Sequence, residues 1–185
     1  MKNRLHPLLL AIVAVPALLL ALTVHADEAK TLKAGALTFH YHAPWKDVSS
    51  GRPMRAGELK YEHKDEGLED VEVVFYYFGP GQGGGIEPNI QRWVGQFEGE
   101  PTVERETDEI DGNKIHYLYA KGTYLDSGMG GPFAGNKTAK EGYMMLAAIV
   151  ENKEGAVFLK ATAPEKSAEA IKEAFKKVAA SPFED

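Results

Sequence analysis

The chain has 185 residues, 44% of them hydrophobic and 26% charged, a composition that suits one globular domain with a sizeable core. Its formal net charge of −6 at pH 7 argues against nucleic-acid binding and against simple adsorption to anionic lipid, since both depend on basic patches. The sequence has no cysteine, so disulfides, a thiol nucleophile and a lipoprotein anchor are excluded.

The first 26 residues have the pattern of a cleavable signal peptide. Lys2 and Arg4 form a positive n-region, residues 8–22 are an apolar run, and VHA at 24–26 is a small-x-small cleavage site. The apolar run is shorter than the ~20 residues that a membrane span needs. We expect cleavage after Ala26, which takes the formal charge to −8, leaves a single domain over residues 27–185 without a membrane span, and places it in the periplasm or outside the cell.

The first predicted elements of the exported part are strands. Residues 36–42 alternate between apolar and polar positions, which predicts a half-buried strand, and Trp45 is expected to cover one end of the core. Residues 54–63 predict a second strand, followed by a turn at 65–67. Residues 71–78 are almost wholly apolar and rich in β-branched and aromatic side chains, which predicts a central strand covered on both faces.

A glycine-rich segment, GPGQGGG at 79–85, ends that strand, because glycine reaches positive φ freely and proline donates no ladder hydrogen bond. Its spacing matches neither of the common phosphate-binding glycine motifs, and Glu87 would repel an anion at the start of the following helix. We interpret the segment as a structural turn that lets the backbone and the helix approach closely.

An amphipathic helix is predicted over residues 88–98, with Pro88 in its first turn. Asn89, Arg92 and Gln96 lie on its polar face. The apolar stripe, with the spacing i, i+3, i+4 and i+7, consists of Ile90, Trp93, Val94 and Phe97.

The second half of the chain is predicted to form two hairpins. Asp111-Gly112 is a strong hairpin signal between strands at 102–110 and 114–124. The glycine-rich segment 126–140 predicts a long loop, and loops of that length in compact domains are often functional. Two further strands at 143–150 and 156–161 are apolar on both faces, which predicts central positions in the sheet.

A second amphipathic helix is predicted to end the chain, with Thr162 and Glu165 as a capping box and Pro164 in its first turn. The order of elements is then βββ–α–ββ–ββ–α. This order predicts an α+β fold, a largely antiparallel sheet covered by two helices.

Three segments carry a resemblance to a known family: PMRA at 53–56, VVFYYFGPGQGGG at 73–85 and NIQRWVGQF at 89–97. They resemble a family of uncharacterised bacterial secreted proteins. The order of elements looks like the PsbP-like sandwich, the fold of photosystem II extrinsic proteins and of the Mog-type Ran-binding protein, over most of residues 36–180. The resemblance implies a non-enzymatic binding or assembly role and brings no catalytic residues.

Five residues are candidates for a binding site. Arg55, Arg92 and Gln96 are polar residues set among aromatic and glycine-rich segments, and an arginine can hold a carboxylate or phosphate through two parallel hydrogen bonds. Gln82 lies at the tip of the glycine-rich turn, and Tyr143 is a candidate aromatic contact. The alternative for Arg92 and Gln96 is that they satisfy backbone carbonyls of the turn.

We expect the segments 79–87 and 126–140 to meet and to engage a partner protein, a peptide or a small anionic ligand, without a cofactor. The alternative function is a small metal-dependent hydrolase that uses His40 and His42, which share a strand face and suit zinc or copper. No G-x-S-x-G elbow or helical histidine pair supports that alternative. A third hypothesis, a scaffold within an envelope complex, predicts a sizeable exposed apolar patch.

Overall fold

The fold is taken from a computed structural model that describes residues 28–128 and 137–184. The predicted signal peptide and the middle of the predicted 126–140 loop lie outside the described residues. Within them, no helix is both long enough and apolar enough to cross a membrane. The elements are β1 (Lys30–Ala34), β2 (Leu37–Tyr41), β3 (Trp45–Asp47), β4 (Gly57–Tyr61), β5 (Val71–Tyr77), α1 (Ile86–Val94), β6 (Thr102–Ile110), β7 (Asn113–Asp126), β8 (Thr138–Val150), β9 (Val157–Pro164), α2 (Glu165–Ala170) and α3 (Lys172–Ala180).

Seven strands form one antiparallel sheet in the order β3-β4-β5-β9-β8-β7-β6. The prediction that β8 and β9 are central is confirmed, and residues 144–150 of β8 are buried without interruption. Apolar side chains on both faces of these strands need cover on both sides, which only the middle of the sheet supplies. The α+β class and the largely antiparallel sheet are therefore as predicted.

One face of the sheet is covered by the β1–β2 hairpin together with α2 and α3. The predicted alternation in β2 is confirmed, since Leu37, Phe39 and Tyr41 are buried. Phe39 is 0% exposed, and its ring meets the edge of the Phe75 ring with centroids 5.0 Å apart. Strand β1 was not predicted, because it is short and buries only two small or medium apolar side chains, those of Leu32 and Ala34.

The opposite face is covered by α1, but only in part. Ile90 and Trp93 are buried, and Trp93 meets the edge of the Phe158 ring with centroids 6.4 Å apart. Phe97 follows the helix and packs against Tyr124, with ring centroids 5.5 Å apart. These contacts place α1 over β7, β8 and β9. Tyr76 of β5 borders the same cluster and is only half-buried.

The prediction that strand 71–78 is covered on both faces is wrong for one of the two faces. Val71, Val73 and Phe75 are buried, whereas Val74 and Tyr76 on the other face are half-buried. An apolar run shows that a strand belongs to the core, but the position of α1 decides which of its faces is covered. The open part of this face holds the candidate site described below.

Two helix predictions are corrected by the structure. Helix α1 spans 86–94 rather than 88–98, so Phe97 reaches the core from the turn after the helix. The predicted capping box is wrong, because Thr162 lies in β9 opposite Met145 and α2 begins without a side-chain cap. The C-terminal helix is also divided at Ile171, so three helices rather than two cover the sheet in the described chain.

The strand bounds also differ from those predicted. The predicted strand 54–63 is shorter and spans 57–61, and Trp45 begins a separate strand, where it is buried as expected. The predicted 126–140 loop is shorter as well, because β7 continues to Asp126, which pairs with Thr138 of β8.

The prediction that the two glycine-rich segments meet is wrong for their described parts. Tyr77, just before the first segment, pairs with Val157, which in turn pairs with Val150 at one end of β8. The second segment joins Asp126 to Thr138 at the other end of β8. Twelve residues of strand separate these ends, which is about 40 Å. The anchors of the two segments therefore lie at opposite ends of the sheet.

The β1–β2 hairpin should be essential for stability, because it covers the sheet core. We expect Phe39→Ala to lower the free energy of unfolding by about 3–5 kcal/mol, since it removes a fully buried ring. The neighbouring Thr38→Ala, on the exposed face of β2, should cost less than about 1 kcal/mol. Urea denaturation measures both, and equal costs would show that the hairpin is not part of the core.

Candidate functional site

Lys160 lies at the centre of a polar network on the α1 face of the sheet. It belongs to β9, where its Cα partners are Val74 of β5 and Ala147 of β8. Its Nζ donates hydrogen bonds to Gln96 Oε1 at 2.5 Å and to Tyr124 Oη at 3.2 Å. We call Lys160, Gln96 and Tyr124 the Lys160 network.

The chain segments around the network are fixed by backbone hydrogen bonds. Gln96 follows α1, where its N–H donates to the carbonyl of Trp93 at 3.0 Å and its carbonyl accepts from Leu125 N–H at 2.8 Å. Tyr124 lies just after an irregularity in the β7–β8 register at Gly122. These bonds join the end of α1 to β7 and bring Gln96 and Tyr124 to the same amine.

The charge of Lys160 is poorly compensated. Burial lowers its pKa to about 8, while the Asp126 carboxylate acts to raise the pKa and the Arg92 guanidinium acts to lower it. The hydrogen-bond acceptors of the amine are neutral, and Asp126 is itself paired with Lys140. Lowering the pKa of Lys160 from 10.5 to about 8 means that the folded state disfavours the charged amine by about 3 kcal/mol. The network therefore costs stability at neutral pH.

Arg92 is a second cation without a carboxylate partner in the described chain. It is exposed on α1, and its Nη2 donates to Asn89 Oδ1 at 2.5 Å. Asn89 in turn donates from Nδ2 to the carbonyls of Gly83 at 2.9 Å and Gly85 at 2.8 Å. The interpretation that Arg92 and Gln96 satisfy carbonyls of the glycine-rich turn is therefore wrong. Asn89 has that role, and Arg92 orients Asn89.

An ion pair borders the network towards the end of β7. Asp126 Oδ2 lies 2.6 Å from Lys140 Nζ, and this hydrogen bond holds the pKa of Asp126 below its usual value. The Lys140 amine also lies 5.2 Å from the centroid of the half-buried Tyr143 ring. Tyr143 therefore borders the same site.

Arg55 is already neutralised by carboxylates on the neighbouring part of the sheet. It pairs with Glu58, and its Nη1 lies 3.1 Å from Glu72 Oε1. Glu58 is only 3% exposed and also accepts from Ser50 Oγ at 2.8 Å. Burial acts to raise the pKa of Glu58, but the hydrogen bonds from Ser50 and Arg55 bring it below its usual value. Arg55 is thus less available to an anion than Arg92.

Most of the residues predicted from sequence lie on one face of the sheet, although not all of them meet. Arg92, Gln96 and Tyr143 lie near Lys160 and Asp126, while Arg55 precedes β4 and pairs with Glu58 of β4 and Glu72 of β5. Gln82 lies apart as an exposed residue of the glycine-rich turn, where its N–H donates to the Gly79 carbonyl at 3.2 Å.

Sequence reasoning missed Lys160, the central residue of the network. The available signal was one lysine inside the otherwise apolar strand VFLKATA at 157–163. A charged side chain in a central strand needs a polar partner or an opening to solvent. That partner, Gln96, is 64 residues away in the chain, so spacing alone does not reveal it.

The two histidines of the metal hypothesis lie on the other side of the molecule. His40 of β2 and His42, which follows that strand, are exposed and line a groove of about 720 Å³ between β2 and the end of α3. The backbone N–H of His40 donates to Ser181 Oγ at 2.8 Å. In residues 28–128 and 137–184, no group of three or more histidine, cysteine or acidic side chains is placed to hold a metal ion.

Comparison with known proteins finds similar structures but no family. No family model and no curated protein matches the chain. Cyanobacterial PsbP (CyanoP) from Synechocystis sp. PCC 6803 is 14% identical, over 86% of this chain and 94% of CyanoP, with a TM-score of 0.49. PA94, a protein of unknown function from Pseudomonas aeruginosa, is 11% identical over 80% of this chain and 92% of its own, with a TM-score of 0.46. Both likenesses concern the fold alone.

The lowered pKa of Lys160 predicts an unusual dependence of stability on pH. Because the folded-state pKa is about 8 and the ordinary value is 10.5, the stability deficit is complete below pH 8 and disappears as the pH rises towards 10.5. Relative to Lys160→Met, the free energy of unfolding of the wild type should therefore rise by about 2–3 kcal/mol between about pH 7 and about pH 10.

Lys140→Met is the matched control, because the hydrogen bond with Asp126 raises the pKa of Lys140. The stability from Lys140 is fully present below its ordinary pKa of 10.5, so Lys140→Met should lower the free energy of unfolding by a nearly constant amount between about pH 7 and about pH 10. Urea denaturation across this pH range measures both profiles. Parallel profiles for wild type and Lys160→Met would contradict the assigned environment of Lys160.

Proposed function

We propose that the protein is an exported, periplasmic binding module without enzymatic activity, which takes a small anionic ligand at the Lys160 network and Arg92. The observation that carries this proposal is the presence of two cations with only neutral hydrogen-bond partners on an open face of the sheet. An anion between them would complement both charges.

Energetic reasoning favours a ligand at this position. A partly desolvated amine with neutral partners is destabilising, whereas an anion would supply the opposite charge that its surroundings lack. Lys160 contributes charge, Arg92 contributes a planar set of N–H donors, and the side-chain amide of Gln96 contributes further donors. This combination suits the oxygen atoms of a carboxylate or phosphate.

The ionisation states near the network favour binding over acid–base catalysis. Hydrogen bonds to basic side chains lower the pKa of Asp126 and counteract the effect of burial on Glu58, so both carboxyl groups are ionised at neutral pH. General acids and bases work best with a pKa near the working pH. Because the pKa of Lys160 is about 8, most of its amine is protonated at pH 7 and can attract an anion.

The proposed location in the periplasm rests on the sequence of the first 26 residues. Its n-region, apolar run and cleavage site are typical of an exported protein. The absence of cysteine is compatible with an oxidising compartment, since no thiol is left to oxidise.

A thermal-shift panel of monocarboxylates, dicarboxylates and inorganic phosphate tests the proposed function. A ligand present at about 100 times its Kd should add about 2.7 kcal/mol to the free energy of unfolding, which raises Tm measurably. We expect at least one anion to do so. Its affinity, measured by calorimetry, should fall about tenfold or more in Lys160→Met and in Arg92→Ala.

Lys121→Met is the control for this experiment, because Lys121 is also a half-buried strand lysine but pairs with Glu169 at 2.8 Å away from the network. Its affinity for the anion should equal that of the wild type. Binding should also weaken about tenfold from about pH 7 to about pH 9, since the free amine loses its proton above a pKa of about 8. An anion panel without any hit, or a hit that survives Lys160→Met, would refute the proposed site.

A further inference from the structure

Two aromatic side chains beside the Lys160 network remain partly exposed. Tyr76 and Phe78 are two positions apart at the end of β5, and their rings stack with centroids 6.3 Å apart and planes 11° apart. Phe78 is 36% exposed, and its other neighbour is the buried Phe158 ring at 5.8 Å. We call Tyr76 and Phe78 the aromatic shelf.

Strand register places the shelf next to the amine. Val74 is the Cα partner of Lys160, and Tyr76 is the partner of Phe158. Tyr76 and Lys160 are therefore diagonal neighbours on one sheet face, at about 7–8 Å, which long side chains easily bridge. Trp93 of α1 packs against Phe158, and Tyr76 borders the same apolar cluster while staying half-buried. The result is an apolar surface that continues into a cationic site.

The charges around the site favour an anion with a single negative charge. Four basic side chains face four carboxylates in this region, so the local charge is balanced before a ligand binds. A dianion would meet repulsion from the carboxylates that border the site. The basic side chains are Arg55, Arg92, Lys140 and Lys160, and the carboxylates are Glu58, Glu69, Glu72 and Asp126.

We infer that the ligand is a small monocarboxylate that carries an aromatic ring. Its carboxylate lies between Lys160 and Arg92, and its ring lies on the aromatic shelf. This inference rests on the proposed function and adds to it the chemical class of the ligand. Offset stacking of the ring on Tyr76 and Phe78 and an ion pair at the other end would fix its orientation.

The size of the apolar surface favours a small molecule over a protein. In the described chain four large hydrophobic residues are at least 36% exposed, and they belong to separate segments: Val48, Met54, Phe78 and Val103. A stable protein interface buries about 1,200–2,000 Å² in total, usually around several aromatic anchors. One partly exposed phenylalanine with an adjacent tyrosine matches the ring of a small ligand better.

Calorimetry at neutral pH with three probes tests the inference: 3-phenylpropanoate, the neutral 3-phenylpropanamide, and propanoate, which lacks the ring. We expect 3-phenylpropanoate to bind about tenfold or more tightly than either of the other two. Phe78→Ala should remove the advantage of the ring and leave the affinity for propanoate unchanged. Lys160→Met should remove the advantage of the charge.

Val103→Ala is the matched control, because Val103 is 40% exposed on the distant edge strand β6. This variant should bind 3-phenylpropanoate with the affinity of the wild type. A thermal melt of each variant establishes that it is folded. Phenyl phosphate, a dianion near neutral pH, should bind more weakly than 3-phenylpropanoate.

The outcomes separate the inference from the proposed function. If propanoate and 3-phenylpropanoate bind equally well and both depend on Lys160, the anion site stands and the inference is wrong. Tighter binding of phenyl phosphate, or equal binding of the amide, would also overturn the inference. If no carboxylate or phosphate binds to the wild type, both the proposed function and the inference are wrong.

Discussion

The constraint on which the site depends is the partial burial of a lysine in a central strand. Lys160 is half-buried, so its amine needs polar groups supplied by other elements. Gln96 after α1 and Tyr124 of β7 provide them at 2.5 and 3.2 Å. Both partners are neutral, so the contact satisfies hydrogen bonds without compensating the charge. The surroundings of Lys160 thus favour an anion that the chain itself does not supply.

Lysines on the two sides of the sheet differ in their hydrogen-bond and ion-pair partners. On the face covered by α3, Lys172 Nζ lies 3.0 Å from Glu104 and Lys176 Nζ lies 2.5 Å from Glu106, so both amines are paired with carboxylates. Lys172 also lies over the ring of the buried Tyr119, 3.9 Å from its centroid. Those lysines hold a helix on a strand. Among residues 28–128 and 137–184, Lys160 on the other face hydrogen-bonds only to the neutral side chains of Gln96 and Tyr124.

The glycine-rich turn determines how much of the α1 face remains open. A Cβ on Gly83 would lie 2.4 Å from the Phe158 ring, so glycine permits the turn to rest directly on the sheet. Asn89 then holds the turn through two carbonyls, and Trp93 fixes α1 above β9. Because the helix is held over β7 to β9, the aromatic side chains of β5 stay partly exposed. The turn has a structural role, as the sequence indicated, but it sets the boundary of the site.

Sequence by itself determined the features that arise from local pattern. The alternation in β2, the two-sided apolar runs of β8 and β9 and the stripe on α1 follow from the period of each element, and they suffice for the α+β class. They also placed Arg92 on the polar face of α1, whereas Gln96 lies in the turn after the helix. Only the tertiary structure decided which face of β5 is open, where the anchors of the two glycine-rich segments lie, and that Gln96 meets Lys160. Those features depend on strand register and on contacts between distant residues, such as Gln96 and Lys160, 64 positions apart, which no local periodicity encodes.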